Sequence, residues 1–172
     1  MSSEGRPNKH FLFPGTIFAE PLEYEISTVL GSCVAVCLWD QVIRRGGMNH
    51  MMLPLWNGEG LATPKYGNIA MEKLFAKVLS IGCHREHLVA KVFGGANVTG
   101  TGLEVFMIGD RNITLAFQLL DEFRIPVVAK DIGGQVGRKI IMNTETGVVL
   151  VGKGKKTGSD SCSYLDTPGL LR

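Results

Sequence analysis

The chain has 172 residues, 18 Lys+Arg against 16 Asp+Glu for a formal net charge of +2, 45% hydrophobic residues and a mean hydropathy of +0.14. So much apolar content with so little net charge excludes a disordered chain, and the length suits one domain that buries its own core without staples. No run reaches the roughly 18 apolar residues of a membrane span, and near-neutral charge makes no electrostatic case for nucleic acid.

Residues 1–10 (MSSEGRPNKH) are polar and are expected to form a flexible tail, with no signal-type apolar region after them. A cytoplasmic location is expected on that ground, and with it reduced cysteines. Residues 26–40 (ISTVLGSCVAVCLWD) read as a strand, a kink at Gly31-Ser32 and a second strand. Alternation in the second strand puts Val34, Val36 and Leu38 on one face and Cys33, Ala35, Cys37 and Trp39 on the other. Arg44-Arg45-Gly46-Gly47 is expected to turn into a short strand, MNHMMLP, stopped by Pro54.

After a loop over residues 55–64, Met71, Leu74, Phe75, Val78 and Leu79 follow helical spacing, with Gly82 as the stop. LVAKVFGG (88–95) predicts a strand, followed by a loop of about ten residues. A second helix is expected from Asp110 as N-cap, burying Ile113, Phe117 and Leu120. PVVAKDI, RKIIMN and VVLVG predict three more strands, the last two joined by a hairpin at Thr144–Gly147. The 22 glycines fit tight turns between these short strands. About seven strands and two main helices, with hairpins outnumbering crossovers, predict an α+β fold with mostly antiparallel sheet. Residues 11–152 are expected to form the single domain and 153–172 a disordered C-terminal tail.

The chemistry centres on the kink. Gly31-Ser32 sets Cys33 between two apolar segments, where backbone N–H groups of Ser32 and Cys33 are candidate oxyanion donors. Asn49-His50 arrives on the next strand, so antiparallel pairing could bring an imidazole beside the thiol, the minimum nucleophile–base pair. The hydroxyls of Ser27 and Thr28 are the nearest groups to orient the histidine. The bland alternative, two unrelated core residues, is open on spacing alone. Cys37 reads as a buried structural thiol, and zinc through Cys33-x-x-x-Cys37 would need two more ligands.

The other motifs read as structure. Cys83-His84-Arg85-Glu86-His87 lacks the paired spacing of a zinc site and reads as a solvated helix end. Gly147-VVLV-Gly152-Lys153 approximates a phosphate loop, but Gly154 replaces the required Ser/Thr and the intervening residues are strand-like. The glycine pairs at 94–95 and 133–134 lack the following helix of a dinucleotide site, and the tail's Lys153, Lys155 and Lys156 are too few for nucleic acid.

Six blocks in order carry a resemblance. ISTVLGSCVAVCLWD (26–40), GGMNHMMLP (46–54), KYGNIAMEKLF (65–75), KVFGGANV (91–98), IGDRNI (108–113) and DIGGQVGRKIIMNTETG (131–147) resemble the bacterial chemoreceptor glutamine deamidase family called CheD. The resemblance covers roughly residues 11–152 and implies a layered α/β fold like that of cysteine-dependent deamidating toxins. It implies a cytosolic chemotaxis enzyme that hydrolyses receptor glutamines to glutamates through a cysteine thioester, without metal or cofactor. The implied partners are the cytoplasmic helices of methyl-accepting chemoreceptors, as substrate, and a CheC-type phosphatase.

By position the resemblance makes Cys33 the nucleophile and His50 its histidine. The family's third position, a threonine six residues before the cysteine, is Ser27 here, with Thr28 one step later, so both stay candidates. Met142 stands where the family has an aromatic, which concerns packing. The competing readings are a weakly catalytic or non-catalytic protein that binds and modulates a CheC-type phosphatase, a cysteine hydrolase of another amide or ester, and, more distantly, a nucleotide-binding domain.

Overall fold

The computed structural model describes residues 5–98, 103–154 and 169–171. Its elements are β1 (Asn8–Phe11), β2 (Ile17–Ala19), β3 (Tyr24–Leu30), β4 (Val34–Asp40), β5 (Arg45–Asn49), α1 (Gly67–Ser80), β6 (Leu88–Gly94), α2 (Leu103–Glu122), β7 (Val127–Ile132), β8 (Arg138–Asn143), β9 (Val149–Lys153) and β10 (Gly169–Leu171), with a 3-10 turn at Arg85–His87. They form two five-stranded sheets, ordered β1-β3-β8-β9-β10 and β2-β5-β4-β6-β7. Only β1–β3 and β6–β7 pair in parallel among the described residues. The α+β class expected from the hairpin-rich pattern is the one observed.

The alternation of β4 separates two cores. Val34, Val36 and Leu38 pack against Met71, Leu74 and Leu120 of the helices. Ala35 and Cys37 face the other way and pack with Ile26, Leu30, Phe93 and Ile140 between the two sheets. The result is three layers, with the helices on one face of the β4 sheet and the second sheet on the other. Met142 is buried in the inter-sheet layer, which fits a packing role.

Several expectations are corrected. Residues 8–10, expected in the tail, pair with β3. At the other end, Gly169–Leu171 pairs with β9, and residues 155–168, including Cys162, lie outside the described ones. Gly46 and Gly47 are strand residues and not a turn, because β5 is pressed between β4 and β2. A Cβ on Gly46 would collide with the Leu38 carbonyl, and one on Gly47 would collide with Ala19. The α2 helix begins at Leu103, so Asp110 is exposed mid-helix and no N-cap. Gly109 is tolerated inside it because the helix runs close to β6, where a Cβ would sit 2.9 Å from the Gly95 carbonyl oxygen.

Candidate active site

The kink at Gly31-Ser32-Cys33 is where the chain crosses from one sheet to the other, since β3 and β4 belong to different sheets. Two backbone bonds dock this crossing onto the end of β6. Gly95 N–H donates to the Cys33 carbonyl (2.8 Å) and Ala96 N–H to the Gly31 carbonyl (2.9 Å). The approach requires glycine at 94, where φ is +105° and a Cβ would strike the Cys33 carbonyl oxygen. The glycine pair of KVFGGANV thus cradles the cysteine turn.

His50 follows β5 directly. Its backbone is clamped by the preceding loop, with His50 N–H donating to Thr16 O (3.1 Å) and Gly15 N–H to His50 O (2.9 Å). The partners Cys37↔Met48 and Val34↔Met51 share one antiparallel register. Continuing that register sets His50 across from Ala35, with Cys33 on the neighbouring diagonal and on the same, inter-sheet face. Midway, Asn49 replaces a ladder bond with its side chain. Its Oδ1 accepts Val36 N–H at 2.8 Å, while Nδ2 reaches Met71 Sδ at 3.3 Å.

The opposite sheet supplies the third group. Ile26, Thr28 and Leu30 of β3 point inward, and Thr28 is fully buried. Thr28 Oγ1 lies 2.7 Å from His50 Nδ1 and donates to the Leu12 carbonyl at 2.8 Å. Because the hydroxyl has one hydrogen, already given to Leu12, Oγ1 accepts from Nδ1–H. That tautomer leaves His50 Nε2 as a bare lone pair, buried and without a partner among the described residues. Ser27, one residue away, projects from the opposite face of the strand and is half-buried. Of the two hydroxyls, only Thr28 meets the imidazole.

Burial governs both ionisations. It pushes the His50 pKa down from 6.5 to about 4, so the ring is neutral at pH 7. Burial also raises the Cys33 thiol, opposed by a hydrogen bond from its own backbone N–H. At rest the site is therefore a thiol and a neutral imidazole, not an ion pair. Such a pair can transfer the thiol proton to Nε2 as the sulfur attacks.

One residue of this neighbourhood escaped the sequence reading. Asn112 of α2 is fully buried, and its Nδ2 donates to Ser32 O (3.3 Å) and Met52 O (3.1 Å). The signal was available, since Asn112 shares its helix stripe with the buried Leu115, Ala116 and Leu120. Elsewhere, the Cys83–His87 segment forms no cluster suited to a metal among the described residues. There the buried Asp40 carboxylate accepts N–H bonds from Val42, Ile43 and His84 and lies 3.6 Å from His87 Nδ1. Burial would raise its pKa, but the three backbone donors hold it below 3.8.

A family model described as CheD, chemotactic sensory transduction, matches residues 52–153, a span that begins after both Cys33 and His50. Curated relatives extend the similarity over both. A protein of Trichlorobacter lovleyi named probable chemoreceptor glutamine deamidase CheD is 66% identical over 89% of this chain and 96% of its own length. Proteins named likewise from Sulfurimonas denitrificans (45% identical, 87% of this chain, 96% of that protein) and Anaeromyxobacter dehalogenans (47% identical, 82% of each) are also similar. No helix among the described residues is long and apolar enough to cross a membrane.

Proposed function

The chain belongs to the CheD family, and from that premise we propose that it is a cysteine-dependent chemoreceptor glutamine deamidase of chemotaxis signalling. Cys33 serves as nucleophile, His50 as base and then acid, and Thr28 as the group that orients the imidazole. The observation that carries the reading is the buried His50 ring, tied at Nδ1 to Thr28 and bare at Nε2.

The steps use only the chain, the substrate and water. Cys33 Sγ attacks the carboxamide carbon of a receptor glutamine while its proton passes to His50 Nε2. The resulting oxyanion is taken by backbone N–H groups at Ser32 and Cys33, which donate to no backbone carbonyl among the described residues. As the tetrahedral intermediate collapses, the C–N bond breaks and the departing ammonia receives the proton from His50. The imidazole then activates water, which hydrolyses the thioester to glutamate and frees the thiol. Each turnover places one negative charge on the receptor, a local electrostatic change able to bias a two-state signalling element.

In this reading the catalytic unit includes both sheets from β1 onward, and a substrate made of receptor cytoplasmic helices implies a cytoplasmic protein. Phe13, Met52 and Leu55 are exposed apolar side chains next to or near site residues in sequence. Exposed apolar side chains of this kind suit an amphipathic receptor helix, and a CheC-type phosphatase is the second partner of this reading. The test is mass spectrometry of receptor cytoplasmic fragments incubated with the wild type or with Cys33→Ala. A Gln-to-Glu shift at defined sites, present with the wild type and absent with the variant, is expected. No shift from a folded protein whose Cys33 can still be alkylated would overturn the deamidase reading and favour phosphatase binding.

A further inference from the structure

Two of the four buried polar atoms that lack a partner among the described residues belong to the surroundings of Cys33. They are His50 Nε2 and Asn112 Oδ1. The first is the free base. The second is an amide carbonyl left orphaned in the core, a feature that an apolar residue of the same shape would avoid. Something about the other end of that amide must be worth keeping. Nδ2 faces two carbonyl oxygens, Ser32 O and Met52 O, so both of its hydrogens are committed.

The Ser32 carbonyl belongs to the peptide that ends in the Cys33 N–H. In a trans peptide the C=O and the following N–H point in opposite directions. Holding Ser32 O toward α2 therefore turns the Cys33 N–H away from α2. A separate observation agrees with that direction, because the Cys33 N–H donates to no backbone carbonyl among the described residues and so is left open to an oxyanion. The second bond, to Met52 O, ties the same amide to the chain segment two residues after His50.

We propose that Asn112 is a positioning residue that locks the Ser32–Cys33 peptide with its N–H aimed at the oxyanion, and that clasps the nucleophile's turn to the chain segment carrying the base. The inference rests on the cysteine-hydrolase chemistry proposed above, but not on the receptor being the substrate.

The test compares two reactions of Cys33. Acylation by p-nitrophenyl acetate passes through a tetrahedral oxyanion, whereas alkylation by iodoacetamide is a direct displacement that forms none. With Cys33→Ala as the background, Asn112→Ala and Asn112→Asp should acylate about 10²-fold more slowly than wild type. Alkylation should change by much less. The Asp variant replaces the donor with an acceptor facing two carbonyls, so it should be at least as slow as the Ala variant.

Unchanged acylation in a folded variant would overturn the proposal. So would a parallel fall in both reactions, which would make Asn112 a general support for the thiol. Failure of both variants to fold would also overturn it, by assigning Asn112 to the core alone. A wild type that acylates with the expected Asn112 dependence yet deamidates no receptor would break the receptor reading and leave this inference standing.

Discussion

Cys33 and Cys37 project from the same face of one strand segment into the same inter-sheet layer, yet only Cys33 stands in the proposed catalytic site. Cys37 is fully buried and lies directly across from Lys91, a cation that should ease thiolate formation. Burial nevertheless drives its pKa up to about 12, with Lys91 offsetting only part of that. The Lys91 ammonium donates to the Gly147 carbonyl at 2.6 Å, and its own pKa is lowered by burial. Cys33 sits where the chain leaves one sheet for the other, so it keeps solvent access and a hydrogen bond from its own N–H. The contrast teaches that proximity to a charged partner does not activate a thiol inside a closed sheet. A break in the ladder does not lower the thiol pKa either, since burial raises that of Cys33 as well, but it exposes the sulfur and leaves the backbone N–H groups beside it without carbonyl partners among the described residues.

The strongest way to sharpen that contrast is His50→Ala. Removing the base should lower kcat by about 10²–10⁴-fold, measured as ammonia release. If this variant turned over like the wild type, Nε2 would not be the base and the Cys33 end would differ from the Cys37 end by exposure alone. The same histidine makes stability depend on pH. The unfolded ring takes up its proton near 6.5 and the folded one only near 4, so the unfolded state binds more protons between these values. Stability is therefore full above 6.5 and falls as pH drops toward 4, by at most on the order of 3 kcal/mol. Urea melts at pH 7 and pH 4.5 should show that loss in the wild type and a smaller one in His50→Gln.

The next test separates two adjacent hydroxyls. Thr28→Val leaves the buried Nδ1–H of His50 without an acceptor, a penalty of ~1–3 kcal/mol that should slow turnover about 10–100-fold. Ser27→Ala, on the outer face, should leave kcat unchanged and shift stability by less than about 0.5 kcal/mol. The reverse pattern would mean that Ser27 takes the third role.

The smallest effect belongs to the other end of the layer. Cys37→Ala should keep full activity and lose about 1–2 kcal/mol of stability, read as a lower melting temperature. In the native wild type, iodoacetamide should label Cys33 well before Cys37 or Cys83, and denaturant should remove the distinction between Cys33 and Cys37. Rapid native labelling of Cys37 would break the comparison.

Much of this architecture can be read from periodicity. Two-residue alternation in β4 assigned its faces, helical spacing located α1, and Gly82, with φ of +101°, ends that helix. Short edge strands resist such reading. The three residues of β2 carry too little pattern, and β1 is polar because it lies at a sheet edge. Gly46 and Gly47 look like turn residues until the neighbouring strands are in place, since a glycine chosen for close approach and one chosen for a turn are identical in sequence.

The sequence by itself determined the fold class and, through six ordered blocks, the family, and it singled out the kink and the Cys33–His50 pair that the proposed mechanism uses. It could not decide between Ser27 and Thr28. Alternation says only that they face opposite ways, and which way is inward depends on how β3 stacks over the other sheet. Nor could it assign Asn112, whose partners lie 80 and 60 residues away along the chain. The neutral state of the His50 ring was equally hidden, because it follows from desolvation by both sheets. These decisions belong to the tertiary structure for one reason: each depends on what arrives from a distant part of the chain to exclude water or accept a hydrogen bond.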